Sequence, residues 1–181
     1  GKAYAYKVIA GNYGYGKSDY ARAIEYSIKS LEQFKELGDK KGSAKILGDM
    51  GVIYWFKSDF PNALKYFNES LENPSTRDDP VGLSAAHNNI ALVNQKMGET
   101  ETALLHYARA LEIGTKASYK AVITSALINR ATSFDMASGR PDQIRKQLNK
   151  MLKDDKNIDF RDQIYFAIAN IYLKEGKEKE A

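Results

Sequence analysis

Apolar residues recur along this chain at the i, i+3, i+4, i+7 spacing that lines one face of an α-helix. Leu47, Met50, Gly51 and Tyr54 share one such face, and Phe60, Ala63, Leu64, Phe67 and Leu71 form the matching stripe of the next segment. Pro61 falls in the first turn of that second helix, where its missing N–H costs nothing. The pattern therefore predicts two amphipathic helices joined by a short turn. It also repeats. Ser18-Asp19-Tyr20-Ala21-Arg22-Ala23-Ile24 aligns with Ser58-Asp59-Phe60-Pro61-Asn62-Ala63-Leu64 at an offset of 40 residues, and Gly98-Glu99-Thr100-Glu101-Thr102-Ala103-Leu104 follows after another 40. Ser30-Leu31-Glu32, Ser70-Leu71-Glu72 and Ala110-Leu111-Glu112 keep the same register. So do the small residues Gly11, Gly51, Ala91 and Ala131. A small residue is expected where two helices cross, because helices approach to about 8–10 Å only where bulk is absent.

The fourth unit departs from the pattern. Its turn, Ser138-Gly139-Arg140-Pro141, has one extra residue, Ile144 replaces the expected small residue, and Arg130 takes a normally apolar site. A fifth unit recovers with Tyr165, Ile168, Ala169 and Tyr172 and leads to Gly176. The pattern predicts nine helices: four full pairs and a ninth whose partner has barely begun at Ala181.

These residues resemble the tetratricopeptide repeat family, whose pattern is W-x₂-L-G-x₂-Y, then A-x₃-F, then P. The second unit supplies Leu47-x₂-Met50-Gly51-x₂-Tyr54, Ala63-x₃-Phe67 and Pro74; the third supplies His87-x₂-Ile90-Ala91-x₂-Asn94 and Ala103-x₃-Tyr107. The period of 40 is similar to a long-helix variant of peptide-binding regulators and adaptors. The stretch Glu36-Leu37-Gly38-Asp39-Lys40-Lys41-Gly42 resembles that of bacterial sensor proteins of this kind. The resemblance implies an all-α, right-handed α-solenoid of stacked antiparallel helix pairs. It would form a single domain over 1–181, about four and a half repeats at 3–40, 43–78, 81–117, 120–156 and, in part, 160–181.

Composition narrows the function. Hydrophobic residues at 43% and charged residues at 28% suit a folded, soluble chain. No apolar run approaches the roughly 18 residues of a membrane span, so no membrane insertion is expected. The start, Gly1-Lys2-Ala3-Tyr4, reads as that of an excised or processed fragment. Cysteine is absent, which removes disulfides, thiolate metal sites and cysteine nucleophiles and leaves the compartment open, cytoplasmic or periplasmic. The net charge of +4 is spread among alternating acids and bases, unlike the one-sided basic face of a nucleic-acid binder, so no nucleic acid is expected as partner.

Candidate chemistry is sparse. Gly11-Asn12-Tyr13-Gly14-Tyr15-Gly16-Lys17-Ser18 matches the phosphate-binding pattern G-x-x-x-x-G-K-[ST]. A nucleotide-binding loop needs a preceding strand in a parallel sheet, and no alternating β-α pattern follows; Asp19 would also set a carboxylate beside the phosphates. A P-loop nucleotide binder is thus a remote alternative. His87 and His106 fall on different helices of one unit, His106 facing outward, with no carboxylate or serine arranged beside them. Asp78-Asp79-Pro80 and Asp154-Asp155 read as helix starts and loops, and Asn68-Glu69-Ser70 as a mid-helix sequon. No catalytic residue, metal ligand or cofactor is expected, and the chain is read as no enzyme.

In the family the first helix of each pair lines a concave groove, and the resemblance carries this over. The groove-facing candidates are Asn12 and Tyr15; Lys45, Asp49, Val52, Trp55 and Phe56; Asn88, Asn89, Leu92, Gln95 and Lys96; Asn129, Thr132, Asp135 and Met136; and Gln163, Phe166 and Asn170. Asp49, Asn89 and Asn129 recur every 40 residues as a polar ladder. It is read either as a grip on an extended peptide, since a side-chain amide pairs with both N–H and C=O, or as bonding between neighbouring helices. Trp55 and Phe56 together mark an interaction site or packing between repeats. The family's carboxylate-clamp binders hold chaperone tails with Lys, Asn and Arg at fixed groove sites. Only Asn12 fits that set here, with Val8, Asp49, Ala85 and Asn89 at the others, so that subclass is not expected. The expected partner is a protein or extended peptide, and the expected role is the sensory or adaptor part of a larger regulator. The alternative is a structural component of an envelope or secretion assembly. The ninth helix carries Ile164, Tyr165, Ile168, Ile171 and Tyr172, more apolar surface than a terminal cap exposes, which predicts self-association through the C-terminal end or cover by further chain.

Overall fold

Helix ends are set by a recurrent piece of local chemistry. In the computed structural model, which describes residues 1–133, 141–154 and 161–176, Asp19, Asp39, Asp59 and Asp79 stand at helix N-caps. Their carboxylates accept from the backbone N–H of Arg22 (3.1 Å), Gly42 (2.8 Å), Asn62 (3.3 Å) and Val81 (3.1 Å). Each thereby satisfies a donor that the first helical turn leaves without a partner. A left-handed residue precedes three of these caps, namely Ser18, Gly38 and Ser58, and two further helix starts, namely Gly98 and Ser118, with φ between 53° and 84°. That turn lets the next N–H close on the last carbonyls, as Asp59 N does on Tyr54 O at 2.9 Å and Asp39 N on Phe34 O at 2.9 Å.

The described residues form ten α-helices and no strand: α1 (Lys2–Gly11), continued by a π-helical turn (Asn12–Gly16), α2 (Tyr20–Glu36), α3 (Lys40–Phe56), α4 (Phe60–Glu72), α5 (Pro74–Arg77), α6 (Pro80–Lys96), α7 (Thr100–Lys116), α8 (Lys120–Ser133), α9 (Pro141–Asp154) and α10 (Arg161–Lys174). The one-turn α5 is the helix that nine did not include. Asn73 starts it, accepting from Ser75 N at 3.0 Å with Pro74 at the first helical position. Successive long helices pack on one another as antiparallel pairs, and first helices of neighbouring pairs also touch, α3 on α6, α6 on α8 and α8 on α10. This is the α-solenoid that the repeat predicts. The extra residue in the Ser138–Pro141 turn and the second helix beginning at Ala181 lie outside the described residues.

Within each pair the crossing is built on size complementarity. Gly51 is buried, and a Cβ placed there would come within 2.5 Å of the Phe67 ring; Ala63 beside them is fully buried. Ala91 meets Tyr107 in the third unit, in a cluster with Ala103 and Ala110. The first unit differs. Its buried small residue is Gly14, against Ala23 and Ile53, whereas a Cβ at Gly11 would touch only Tyr15. The residue corresponding to Phe67 is Ser27, so no ring demands space at Gly11. In the second half Ile144 and Leu148 are themselves buried, with Leu127, Ala131, Ile164, Ala167, Ile168 and Ile171 around them. Two buried hydroxyls fasten second helices to first ones: Ser30 donates to Ala3 O at 2.8 Å and Ser70 to Ala44 O at 3.0 Å.

Candidate binding groove

Ala44, Gly48 and Val52 run along α3 one helical turn apart, and Gly82, Ala85 and Asn89 do so along α6. Small side chains on both walls leave a trough whose floor is Phe67 and Ser70 of α4. The trough holds about 290 Å³ between Lys41, Lys45 and Asp49 on one wall and Asp79, Val81 and Asn89 on the other. Beyond Asn89 it continues into a cavity of about 180 Å³ lined by Val52, Trp55, Phe56, Phe67, Asn89 and Leu92. Seven of the sequence candidates, Lys45, Asp49, Val52, Trp55, Phe56, Asn89 and Leu92, are therefore brought together.

Aromatic residues form the open end. Phe56 is 48% exposed; its ring meets Trp55 edge-on at 5.1 Å and Tyr15 edge-on at 6.0 Å. Trp55 is half-buried, and its indole N–H is buried without a hydrogen-bond partner. Burial pushes Asp49 above the usual carboxylate range against the pull of Lys7, 3.4 Å away, and of Lys45. Burial, with the Asp49 charge second, also pushes the Tyr15 hydroxyl up to about 12. Asn12 is exposed near this end, and Lys96 is exposed one turn past Leu92.

Other candidates are spent on packing. Asn88 is buried and accepts from Asn129 Nδ2 at 3.4 Å, linking α6 to α8. Gln95 Oε1 accepts from the Tyr107 hydroxyl at 2.7 Å within its own pair. The polar ladder thus divides. Asn129 bonds to a neighbouring first helix, Asn89 lines the groove, and Asp49 does both, pairing with Lys7 of α1 while standing on the trough wall. Asn170 is half-buried on α10, apart from the cavity, while the exposed Gln163 and Phe166 lie on that same helix. Asp135 and Met136 lie outside the described residues, and only the backbone of Thr132 is described.

The sequence reading missed the floor and the small-residue walls, for which the signal was Ala44-x₃-Gly48-x₃-Val52 and Gly82-x₂-Ala85-x₃-Asn89. It also missed a pairing. His87 Nδ1 and His106 Nδ1 are 3.0 Å apart across the α6–α7 hairpin, so His106 does not simply face outward. Burial, then the neighbouring His106 and Arg109 charges, pulls His87 down to about 4; burial lowers His106 as well. A separation of 19 residues, one helix plus one turn in this fold, was the available clue. Among the described residues no group of three or more His, Asp or Glu could hold a metal ion. The phosphate-loop look-alike is helical: Gly11 ends α1, Asn12–Gly16 is a π-helical turn, and the Lys17 ammonium lies over the Tyr13 ring at 5.0 Å. Its N–H groups are committed along the helix and do not converge into an anion cradle. No helix among the described residues is long and apolar enough to cross a membrane.

Residues 3–74 match the family model for the tetratricopeptide repeat. No curated protein sequence matches the chain. Among solved structures, BtubC from P. vanneervenii superposes with a TM-score of 0.81 at 16% identity, over 97% of this chain and 74% of that one. Aspartyl phosphate phosphatase F from Bacillus subtilis gives 0.71 at 15%, over 98% of this chain and 45% of that one. A signal transduction ATPase with numerous domains and a tetratricopeptide repeat sensor, from Pyrococcus horikoshii, gives 0.73 at 17%, over 98% and 31%. The chain spans less than half the length of the latter two. At such identities the likeness is one of fold. The family model of the tetratricopeptide repeat thus covers residues 3–74, and the described residues share the α-solenoid fold of these structures.

Proposed function

We propose that this chain is a protein- or peptide-binding scaffold, the sensory or adaptor part of a larger regulator, and that it grips its partner in the groove between α3 and α6. The observation that carries this reading is the apolar cavity beside Trp55 and Phe56, opening into a trough of small apolar residues that also carries Lys41, Lys45, Asp49 and Asp79. Large apolar side chains left around a cleft are costly unless something covers them. The repeat family is one of interaction scaffolds, and two of the similar folds are an aspartyl phosphate phosphatase and a signal transduction ATPase with a repeat sensor, which supports a regulatory setting. The test is selection of displayed peptides on the immobilised chain, followed by titration of the winners. Trp55 is the chain's single tryptophan, so its emission reports directly on the groove. Val52→Arg should fill the cavity and abolish binding; selected peptides that bind this variant as well as the parent would place the site elsewhere.

A second surface supports the structural alternative. On α10, Tyr165, Phe166 and Leu173 are 51%, 63% and 52% exposed. Tyr172, expected to be uncovered, instead lies under the Arg145 guanidinium at 4.6 Å, held there by Glu175 at 2.6 Å. Self-association through α10 should be weakened by Phe166→Glu, measured by sedimentation equilibrium; a parent chain that is monomeric at high concentration would remove this reading.

A further inference from the structure

The two ends of the groove differ in chemistry, and we infer that together they select an acidic extended peptide carrying one bulky apolar side chain. This rests on the groove being the binding site. The apolar end comes first. A cavity of about 180 Å³ is below the roughly 300–1,000 Å³ of small-molecule sites, so it suits one anchoring side chain rather than a whole ligand. Val52, Leu92 and the Phe67 ring supply its apolar walls, and Phe56 and Trp55 line its open end.

Charge decides the rest. The groove walls and the neighbouring α1 present Lys7, Lys41, Lys45 and Lys96 against Asp49 and Asp79. Both acids are engaged within the protein: Asp49 faces Lys7 at 3.4 Å, and Asp79 caps α6 through Val81 N at 3.1 Å. Lys41, Lys45 and Lys96 are exposed and form no salt bridge among the described residues. They stand on either side of the apolar cavity, Lys41 and Lys45 at the trough end and Lys96 one turn beyond Leu92. A cleft with apolar walls strengthens the field of such charges on anything lying in it. At 1.5 Å per residue Lys45 and Phe56 are about 16 Å apart along α3, which an extended peptide spans in about five residues. The fitting segment has acidic residues three to five positions to one side of its apolar anchor and one or two positions to the other. Asn89, between the two compartments, is placed to pair with peptide N–H and C=O.

The test uses three capped synthetic decapeptides: one of Glu and Ser with a single Phe after an acidic run, one with that Phe replaced by Ala, and one with every Glu replaced by Lys. Binding is read by Trp55 emission and by calorimetry at low and at physiological salt. The first peptide should bind, with affinity falling as salt rises. Loss of the Phe should weaken binding about thirtyfold. The double variant Lys41→Ser, Lys45→Ser should weaken it about tenfold while leaving the melting temperature unchanged. Equal or tighter binding of the lysine peptide, through the same cavity, overturns the acidic preference and leaves the groove as the site. Binding of the first peptide that Val52→Arg does not disturb overturns both, as does failure of all three peptides to bind.

Discussion

The first two helix pairs and the last three helices reach the same hairpin architecture by opposite packing. In α1–α4 the second helix brings a ring, Phe34 or Phe67, and the facing helix gives way: a Cβ at Gly42 would run into Phe34, and one at Gly51 into Phe67. Aspartate caps and the Ser30 and Ser70 hydroxyls then pin each helix locally. In α8–α10 branched side chains meet directly, with Leu127, Ile144, Leu148 and Ile164 all at most 3% exposed. Polar fastening there includes Arg145, which bridges Asp142 and Glu175 and covers Tyr172. One region is specified by shape at a few positions, the other by apolar bulk spread over many. The family model matches 3–74, the region built by shape.

That contrast is broken most sharply by removing bulk from the C-terminal core. Ile144→Ala should leave a cavity and cost about 2–5 kcal/mol, read as a fall in the urea midpoint; a cost under about 1 kcal/mol would mean that α9 is loosely held. The converse applies to the N-terminal half. Gly51→Ala, which raises helix propensity, should nonetheless destabilise by about 1–3 kcal/mol because its methyl meets the Phe67 ring. Combining it with Phe67→Leu should recover part of the loss, and independence of the two would refute the crossing.

The histidine pair tests the α6–α7 hairpin between the two regions. Both histidines titrate lower folded than the ordinary value of 6.5, so their neutral forms are favoured in the fold. Stability they confer is complete above about 6.5 and is lost as pH falls toward about 4. The variant His87→Gln should flatten the decline of melting temperature across that window, and an unchanged slope would show that the pair is not coupled to folding. The smallest effect belongs to the turns. Ser58 holds φ of 60°, where glycine has no Cβ penalty, so Ser58→Gly should gain about 0.5–1 kcal/mol. The same change at Ser118, nearer the second region, should give a similar gain if the turns serve both regions alike.

Much of this fold was legible before any coordinates. Ser-Asp or Gly-Asp at the turns, Pro61 just inside a helix, and apolar stripes with period 3.6 are local signals. They act through backbone sterics and capping within a few residues, so they survive without knowledge of the neighbours. The 40-residue register likewise placed Gly51 and Ala91 at crossings, and the family resemblance put Asp49, Val52, Trp55, Phe56, Asn89 and Leu92 on one groove-facing side. Gly11 was misplaced because the need for a small residue comes from the opposing side chain, and Ser27 stands where the next unit has Phe67.

What each face does with its polar residues was settled only by packing between helices distant in sequence. Asn88 and Asn89 are adjacent, yet one is buried against Asn129, 41 residues away, and the other lines the groove. Gln95 is held by Tyr107, Asp49 by Lys7, and His87 by His106. A helical period assigns a residue to a face within about a hundred degrees, and the identity of its partner depends on how the next helix is rotated and displaced. The groove is the same kind of quantity. Its walls are small residues on two helices and its floor is a ring from a third, so its volume exists only once α3, α4 and α6 are docked.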